Sequence, residues 1–328
     1  MPTIRRAVSA AIAGLGPVFA RPPGAAAQPV QPRIDDPRMA ALLRPGAPLV
    51  QLAEGLRWCE GPAWVPGLGL VFSDVRADRE WLWQPTGLSI RREPSGHSNG
   101  HTVDRQGRLI ACESGNRCVS RIDADGRRSV LADRFEGKRL NSPNDAVVKS
   151  DGTIWFTDPA YGLLQPDEGY GGTAELDGCF LFRLDPADGT LSVAADTLQQ
   201  PNGLAFSPDE AVLYVSDTSE GPPTNGTRRE IRAFDVAEGR HLRNERRFAQ
   251  PLKGVPDGFR LDRAGNLFSS SGDGVEVFAP DGTRLGGIPV PGGTVANLCF
   301  GGEEGRHLFL CAGSRLFALE VATAGALP

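Results

Sequence analysis

Ile154-Trp155-Phe156-Thr157-Asp158 is an apolar triplet closed by a small polar residue and an acid, with the turn pair Asp151-Gly152 just ahead of it. The same phrase recurs as Leu70-Val71-Phe72-Ser73-Asp74 after Gly67-Leu68-Gly69, and as Leu213-Tyr214-Val215-Ser216-Asp217 after Pro208-Asp209. Looser copies are Leu109-Ile110-Ala111-Cys112, Leu267-Phe268-Ser269-Ser270 and Leu308-Phe309-Leu310-Cys311, preceded by Gln106-Gly107, Ala264-Gly265 and Glu304-Gly305. A short apolar run bounded by turn residues reads as a buried strand. Six of them, spaced roughly 40 to 60 residues apart, match the repeat of a four-stranded propeller blade.

Alternating strands follow at 178–184, 231–235, 274–278 and 314–319, and Asp125-Gly126, Asp188-Gly189 and Asp281-Gly282 turn several units into a fourth strand. The last unit stops after its third strand, and residues 48–53, ahead of the first unit, can supply the missing edge. Closing the ring removes exposed sheet edges. A sandwich or a solenoid accommodates six comparable units less well. No segment before Gly313 has convincing helical periodicity, which disfavours an α/β hydrolase. The expected fold class is therefore all-β, a six-bladed β-propeller.

Composition agrees: Gly 41 and Pro 27 in 328 residues imply many turns. A net charge of −5 with scattered basic residues argues against nucleic acid as a partner. Arg5-Arg6, the small apolar run 7–20 and Ala25-Ala26-Ala27 have the layout of a secretory signal, with twin-arginine export as one route. The expected organisation is a signal peptide over 1–27, a linker over 28–47, the propeller over 48–320 and a tail over 321–328. That implies a periplasmic or secreted protein, or a cytoplasmic one if the leader is not functional. No later apolar run approaches the roughly 20 residues a membrane span requires. Of the six cysteines, Cys112/Cys118 and Cys299/Cys311 flank turns and can cross-link, but burial as small apolar residues is the simpler reading.

About ten residues upstream of each triplet, where each unit's first strand begins, stand Glu60, Asn99, Asn144, Asn202, Asp257 and Asn297. First strands line the central channel of a propeller, so six equivalent positions converge near its axis. A single Asn-Gly is most simply a turn. Six in register, one of them a Glu, point instead to a site. Facing carboxylates need a counter-charge, and oxygen-only donors suit a hard divalent cation, Ca²⁺ above all, with Mg²⁺ or Mn²⁺ admitted by the same chemistry. Zinc prefers His and Cys, which these positions lack.

Glu60-Gly61-Pro62, Ser142-Pro143-Asn144-Asp145, Pro201-Asn202-Gly203-Leu204 and Pro256-Asp257-Gly258 resemble the signature segments of the SMP-30/gluconolactonase/luciferin-regenerating family. Trp155-Phe156-Thr157-Asp158-Pro159 and Asn99-Gly100 resemble its bacterial gluconolactonase branch, and the likeness runs from about Pro48 to Leu319. The resemblance implies a six-bladed propeller with one divalent metal, usually calcium but with zinc accepted, held by Glu60, Asn144, Asn202 and Asp257. It also implies a hydrolase of carboxylic ester bonds acting on a small sugar lactone. Asn99 would lie beside the substrate. His97 stands where some members place a substrate-contacting Arg, which leaves the preferred sugar open. Asp257 is the expected general base, and Glu60 the anchor of the ion.

A serine-hydrolase route is disfavoured, because no G-x-S-x-G elbow is present. His97 and His101 flank Asn99 and can reach the channel, while Asp158 and Asp217 read as structural acceptors toward neighbouring blades. Glu113 is a further candidate for contact with substrate hydroxyls. Competing readings are a broader, paraoxonase-like esterase and a non-catalytic calcium-binding propeller. A closed ring needs no partner to fold, so a monomer or weak homo-oligomer is expected.

Overall fold

The computed structural model describes residues 26–326. Six antiparallel sheets follow one another along the chain, each strand pairing with the next. Blade 1 comprises Cys59–Val65, Gly69–Asp74, Arg79–Gln84 and Gly87–Arg92, and blade 2 comprises Ser98–Val103, Leu109–Glu113, Cys118–Ile122 and Arg128–Ala132. Blade 3 holds Ala146–Val148, Ile154–Asp158, Phe180–Asp185 and Thr190–Ala195; blade 4 holds Pro201–Phe206, Val212–Asp217, Glu230–Ala237 and His241–Ala249. Blade 5 holds Phe259–Leu261, Leu267–Ser271, Gly274–Phe278 and Arg284–Pro289. Blade 6 has Asn297–Gly301, His307–Ala312 and Arg315–Glu320, and its fourth strand is Pro48–Glu54 from the other end of the chain. Leu319 stands opposite Leu49 and Phe317 opposite Gln51, so the ring closes as the repeat predicts.

The apolar triplets explain the core. Hydrophobic clusters occupy all six seams between successive blades, and second-strand residues of the triplets enter each of them. Val71 meets Ala111 at the seam of blades 1 and 2, Ile110 meets Phe156 next, and Trp155 meets Leu213 after that. Tyr214 with Phe259, Phe268 with Leu310, and Phe309 with Phe72 complete the circuit. Each fully buried side chain of this size contributes about 1.5–3 kcal/mol, and the burial is spread around the ring rather than pooled in one centre.

Residues 28–47, expected as a linker, are structured. Ala27–Pro29 adds a fifth strand to blade 6, and Arg33–Ile34 pairs with Gly286 and Gly287 on the outer edge of blade 5. The short helix Arg38–Leu42 that follows them buries Met39 in the seam of blades 5 and 6. The tail is pinned as well, through bridges from Val321 to Leu43 and from Gly325 to Asp262. The leader expected over 1–27 lies outside the described residues except for its last two. Among the described residues no helix is long and apolar enough to cross a membrane. All six cysteines are free thiols and five are buried, so neither hairpin cross-link forms.

The acids that close three of the triplets are hydrogen-bond acceptors, but not toward neighbouring blades. Asp74 accepts from the backbone N–H of Arg57 and Trp58, Asp158 from Asn141, and Asp217 from Gln199 and Gln200. In each case the donors belong to the segment that leads into the same blade's first strand. Each acid therefore aims its own blade's entry into the channel.

Candidate active site at the channel mouth

The six donor positions do sit at the start of the inner strands, and the local backbone explains how they point inward. Pairing between the first and second strands slips between Glu60 and Ala63, between Ser98 and His101, and between Pro201 and Leu204. These bulges lie at Glu60-Gly61, Asn99-Gly100 and Asn202-Gly203. A bulge re-aims a side chain at a sheet edge, so the Asn-Gly pairs are not hairpin turns.

The glycines serve close approach between blades. A Cβ on Gly61 would lie 1.9 Å from the carbonyl oxygen of Asn99, and one on Gly258 would lie 2.0 Å from Cγ of Asn297. Gly100 donates its N–H to the carbonyl of Asn144 at 2.7 Å, and Gly203 donates to that of Asp257 at 3.2 Å. Hydroxyls from the second strands bind the same carbonyls. Ser73 donates to Asn99, Thr157 to Asn202 and Ser216 to Asp257, at 2.9, 2.7 and 2.7 Å. Thr157 also accepts the N–H of Asn144 through its backbone oxygen at 2.9 Å, which ties the second and third expected ligands together. The backbone of the donor ring is thus held by neighbouring amides and by second-strand hydroxyls.

Glu60, Asn144, Asn202 and Asp257 are all buried or nearly so. Glu60 and Asp257 lie close enough for each to act on the other's carboxyl, with Asn297 beside Glu60 and Asn202 beside Asp257. Burial first, and then the charge of Asp257, pushes the Glu60 carboxyl well above its ordinary value. Burial, followed by the carboxylates of Glu168 and Asp145, pushes Asp257 up to about 8 against the hydrogen bonds from Asn202 and Glu60. Asp145 is fully buried and is met at 3.3 Å by Arg260 of blade 5. Three carboxylates at the head of the channel therefore face one guanidinium.

Other expected residues divide. Asn99 is buried on the inner strand of blade 2. His97 lies just before it, with Nδ1 2.8 Å from the carbonyl oxygen of Val75, its N–H bound to Asp78 at 2.7 Å and its ring against Tyr170. His101 does not reach the centre: its ring joins the carbonyl of Gly61 to Glu80 within the seam of blades 1 and 2. Glu113, expected to contact substrate hydroxyls, has both oxygens taken. Arg128 binds them at 2.7 and 2.6 Å, and Arg92, Ser120 and Asn116 supply further donors. Burial opposes its charge, but Arg128 and Arg92 outweigh it and hold the carboxyl at about 2.

Two residues join the site unannounced. Tyr161, in the short helix Tyr161–Leu164, hydrogen-bonds through its hydroxyl to Thr218, which in turn accepts the Asn202 amide at 3.2 Å. Burial pushes the Tyr161 phenol up. Glu168 follows on the same segment, nearly buried, with Arg76 on one oxygen at 2.8 Å. Neither lies in a repeating position, and the segment that carries them has no periodic pattern.

Residues 58–314 match the SMP-30/Gluconolactonase/LRE-like region. The chain belongs to that family. A gluconolactonase of Zymomonas mobilis is 40% identical over 88% of this chain and 85% of its own. A solved gluconolactonase structure from Xanthomonas campestris is 43% identical, superposes with a TM-score of 0.82, and covers 94% of this chain and 99% of its own. A 6-deoxy-6-sulfogluconolactonase of Pseudomonas putida is 32% identical over 63% of this chain and 65% of its own. Family membership places the chain among hydrolases of carboxylic ester bonds, the group to which these lactone-opening relatives belong.

Proposed function

We propose that the chain hydrolyses a sugar lactone of the gluconolactone type to its aldonic acid at a divalent-metal centre in the channel mouth. The observation that carries this reading is the meeting of Glu60, Asn202 and Asp257 under excess negative charge. Amides and carboxylates without His or Cys form a donor set for a hard cation, and calcium fits it best. Removing two buried carboxylates from water beside one guanidinium is unfavourable unless a cation joins them. Glu60, Asn144, Asn202 and Asp257 would hold the ion. When bound, it supplies polarisation of the lactone carbonyl and stabilises negative charge on that oxygen.

The chain's own residues carry the proton. Water adds to the carbonyl carbon as Asp257 takes its proton. The ring C–O bond then breaks, and the proton passes to the departing ring oxygen, leaving a hydroxy acid. Asn99, on the inner strand of blade 2, and His97, just ahead of that strand, would orient substrate hydroxyls. Tyr161 and Thr218 hold the Asn202 amide in place and exclude water from its far side.

A panel of sugar lactones, aliphatic lactones and aryl esters, with and without EDTA, tests the reading. Sugar lactones should react fastest, chelation should abolish turnover, and calcium should restore it. Turnover unaffected by exhaustive chelation would remove the metal, and preference for aryl esters would move the chain to a broader esterase.

A further inference from the structure

The inner strands run down from the channel mouth, so the residues that follow the expected ligands lie beneath them. Asp145 comes directly after Asn144, and Arg260 is the third residue after Asp257. These two side chains meet: Nη1 and Nη2 of Arg260 lie 3.3 and 3.5 Å from Oδ2 and Oδ1 of Asp145. Nη1 also donates to the Phe259 carbonyl at 2.7 Å, which holds the guanidinium beside its own strand. The acid is fixed as firmly. Its Oδ1 accepts the Ala146 N–H at 2.8 Å, and its own N–H donates at 3.1 Å to Thr157 Oγ1, the hydroxyl bound to the Asn202 carbonyl. A Cβ on Gly100 would lie 2.5 Å from Asp145 Oδ1 and 2.5 Å from the Asn144 carbonyl oxygen, so the carboxyl is wedged against the strand that carries Asn99.

Blade 5 and the seam of blades 2 and 3 stand nearly opposite each other in a ring of six, so this pair spans the channel. The Asp145 side chain is fully withdrawn from water and that of Arg260 is one-fifth exposed. Among the described residues, each is the other's only partner of opposite charge in ion-pair range. Adjacent Cα atoms are about 3.8 Å apart, so a charge on Asp145 acts from within roughly 10 Å on an ion held by Asn144, where little water screens it. Without Arg260, Asp145 would add a third negative charge to those of Glu60 and Asp257. With it, the two charges cancel.

We infer that Arg260 sets the net charge of the centre: by neutralising Asp145 beneath the ring, it leaves Glu60 and Asp257 alone to match a divalent cation and limits how tightly that cation is held. This rests on the metal centre proposed above. The two halves of the pair then act with opposite sign. Asp145 strengthens the hold on the ion, and Arg260 weakens it. A pair that merely bridged blades 3 and 5 would have no such signature, since losing either half would loosen the same ligands.

Calorimetric titration of the metal-free full chain with calcium, and separately with terbium, at pH 8 tests this. Arg260→Gln should bind calcium about tenfold and terbium about thirtyfold more tightly, because the attraction scales with the charge of the ion. Asp145→Asn should bind calcium about tenfold more weakly. The double variant exchanges the ion pair for two neutral polar side chains and should return to within about threefold of the unaltered chain. Arg260→Lys keeps the charge without the fork and should also stay within about threefold. Should either single variant fail to fold, Arg260→Met and Asp145→Ser carry the same expected signs. Weaker binding in both single variants without recovery in the double, or an affinity that no variant moves, overturns the inference while sparing the metal centre. Failure of the unaltered chain to bind calcium overturns both.

Discussion

Two groups of buried carboxylates in this molecule have opposite electrostatics. In the outer part of blades 1 and 2, Glu80 and Glu113 are fully buried, and Arg91, Arg92, Arg128 and His101 surround them. Burial works against the charge of each, but these partners outweigh it and hold both carboxyls below their ordinary range, Glu113 at about 2. At the channel mouth, Glu60 and Asp257 have amides and each other, and both are raised. All four carboxylates are largely withdrawn from solvent. The difference is whether the fold provides the counter-charge, and only the first group is complete within the chain. An unfinished buried cluster is a binding site by electrostatics; a finished one is a brace.

The comparison breaks most sharply at Asp257. Asp257→Asn should lower kcat/KM by about a thousandfold, the usual range for a lost general base, yet raise the melting temperature of the metal-free chain by relieving like charge. Steady-state rates and melting with and without EDTA read both effects, and full activity in this variant would remove Asp257 as the base. Glu113→Gln should do the reverse. It takes the anionic partner from Arg128, leaves Arg92 with Glu80 alone, and should lower stability by about 3 kcal/mol, while kcat/KM of the folded fraction changes less than threefold. A raised KM at unchanged stability would return Glu113 to the substrate.

Smaller effects sharpen the contrast. Calcium at a hundred times its Kd should add about 2.7 kcal/mol to the unfolding free energy, and this gain should vanish in Asp257→Asn. Acid should act on the brace. The Glu113 carboxyl is held at about 2 in the folded chain against an ordinary value of 4.5. Its contribution is complete above that ordinary value and is lost as pH falls through the folded one. Denaturant melts between pH 5 and pH 2 should show this loss, and it should disappear in Glu113→Gln.

The repeat was legible because seam packing demands the same apolar triplet in every blade, and the donor ring because it occupies one repeating position. Glu113 was misread from sequence as a substrate contact, and the structure makes it a brace. It follows Leu109-Ile110-Ala111-Cys112 in the register that places Asp74, Asp158 and Asp217 after their triplets. Those acids bind their own entry segments, and the equivalent Glu113 is likewise structural, a role its position in the repeat carries but its sequence reading passed over. Tyr161 and Glu168 were not legible, since their segment has no period and reaches the mouth only by docking on Ser142 and Arg76. Arg260 was visible as a charge on an inner strand, but its partner Asp145 lies two blades away, and no local pattern predicts that distance.

Pairing of Pro48–Glu54 with Arg315–Glu320 has a consequence for biosynthesis. The first of these segments leaves the ribosome long before its mate exists, so it has only Ala27–Pro29 to pair with through the making of five blades. Until residues 315–320 emerge, Glu60 and Asn297 flank an open gap, and the ring of inner-strand oxygens stays incomplete.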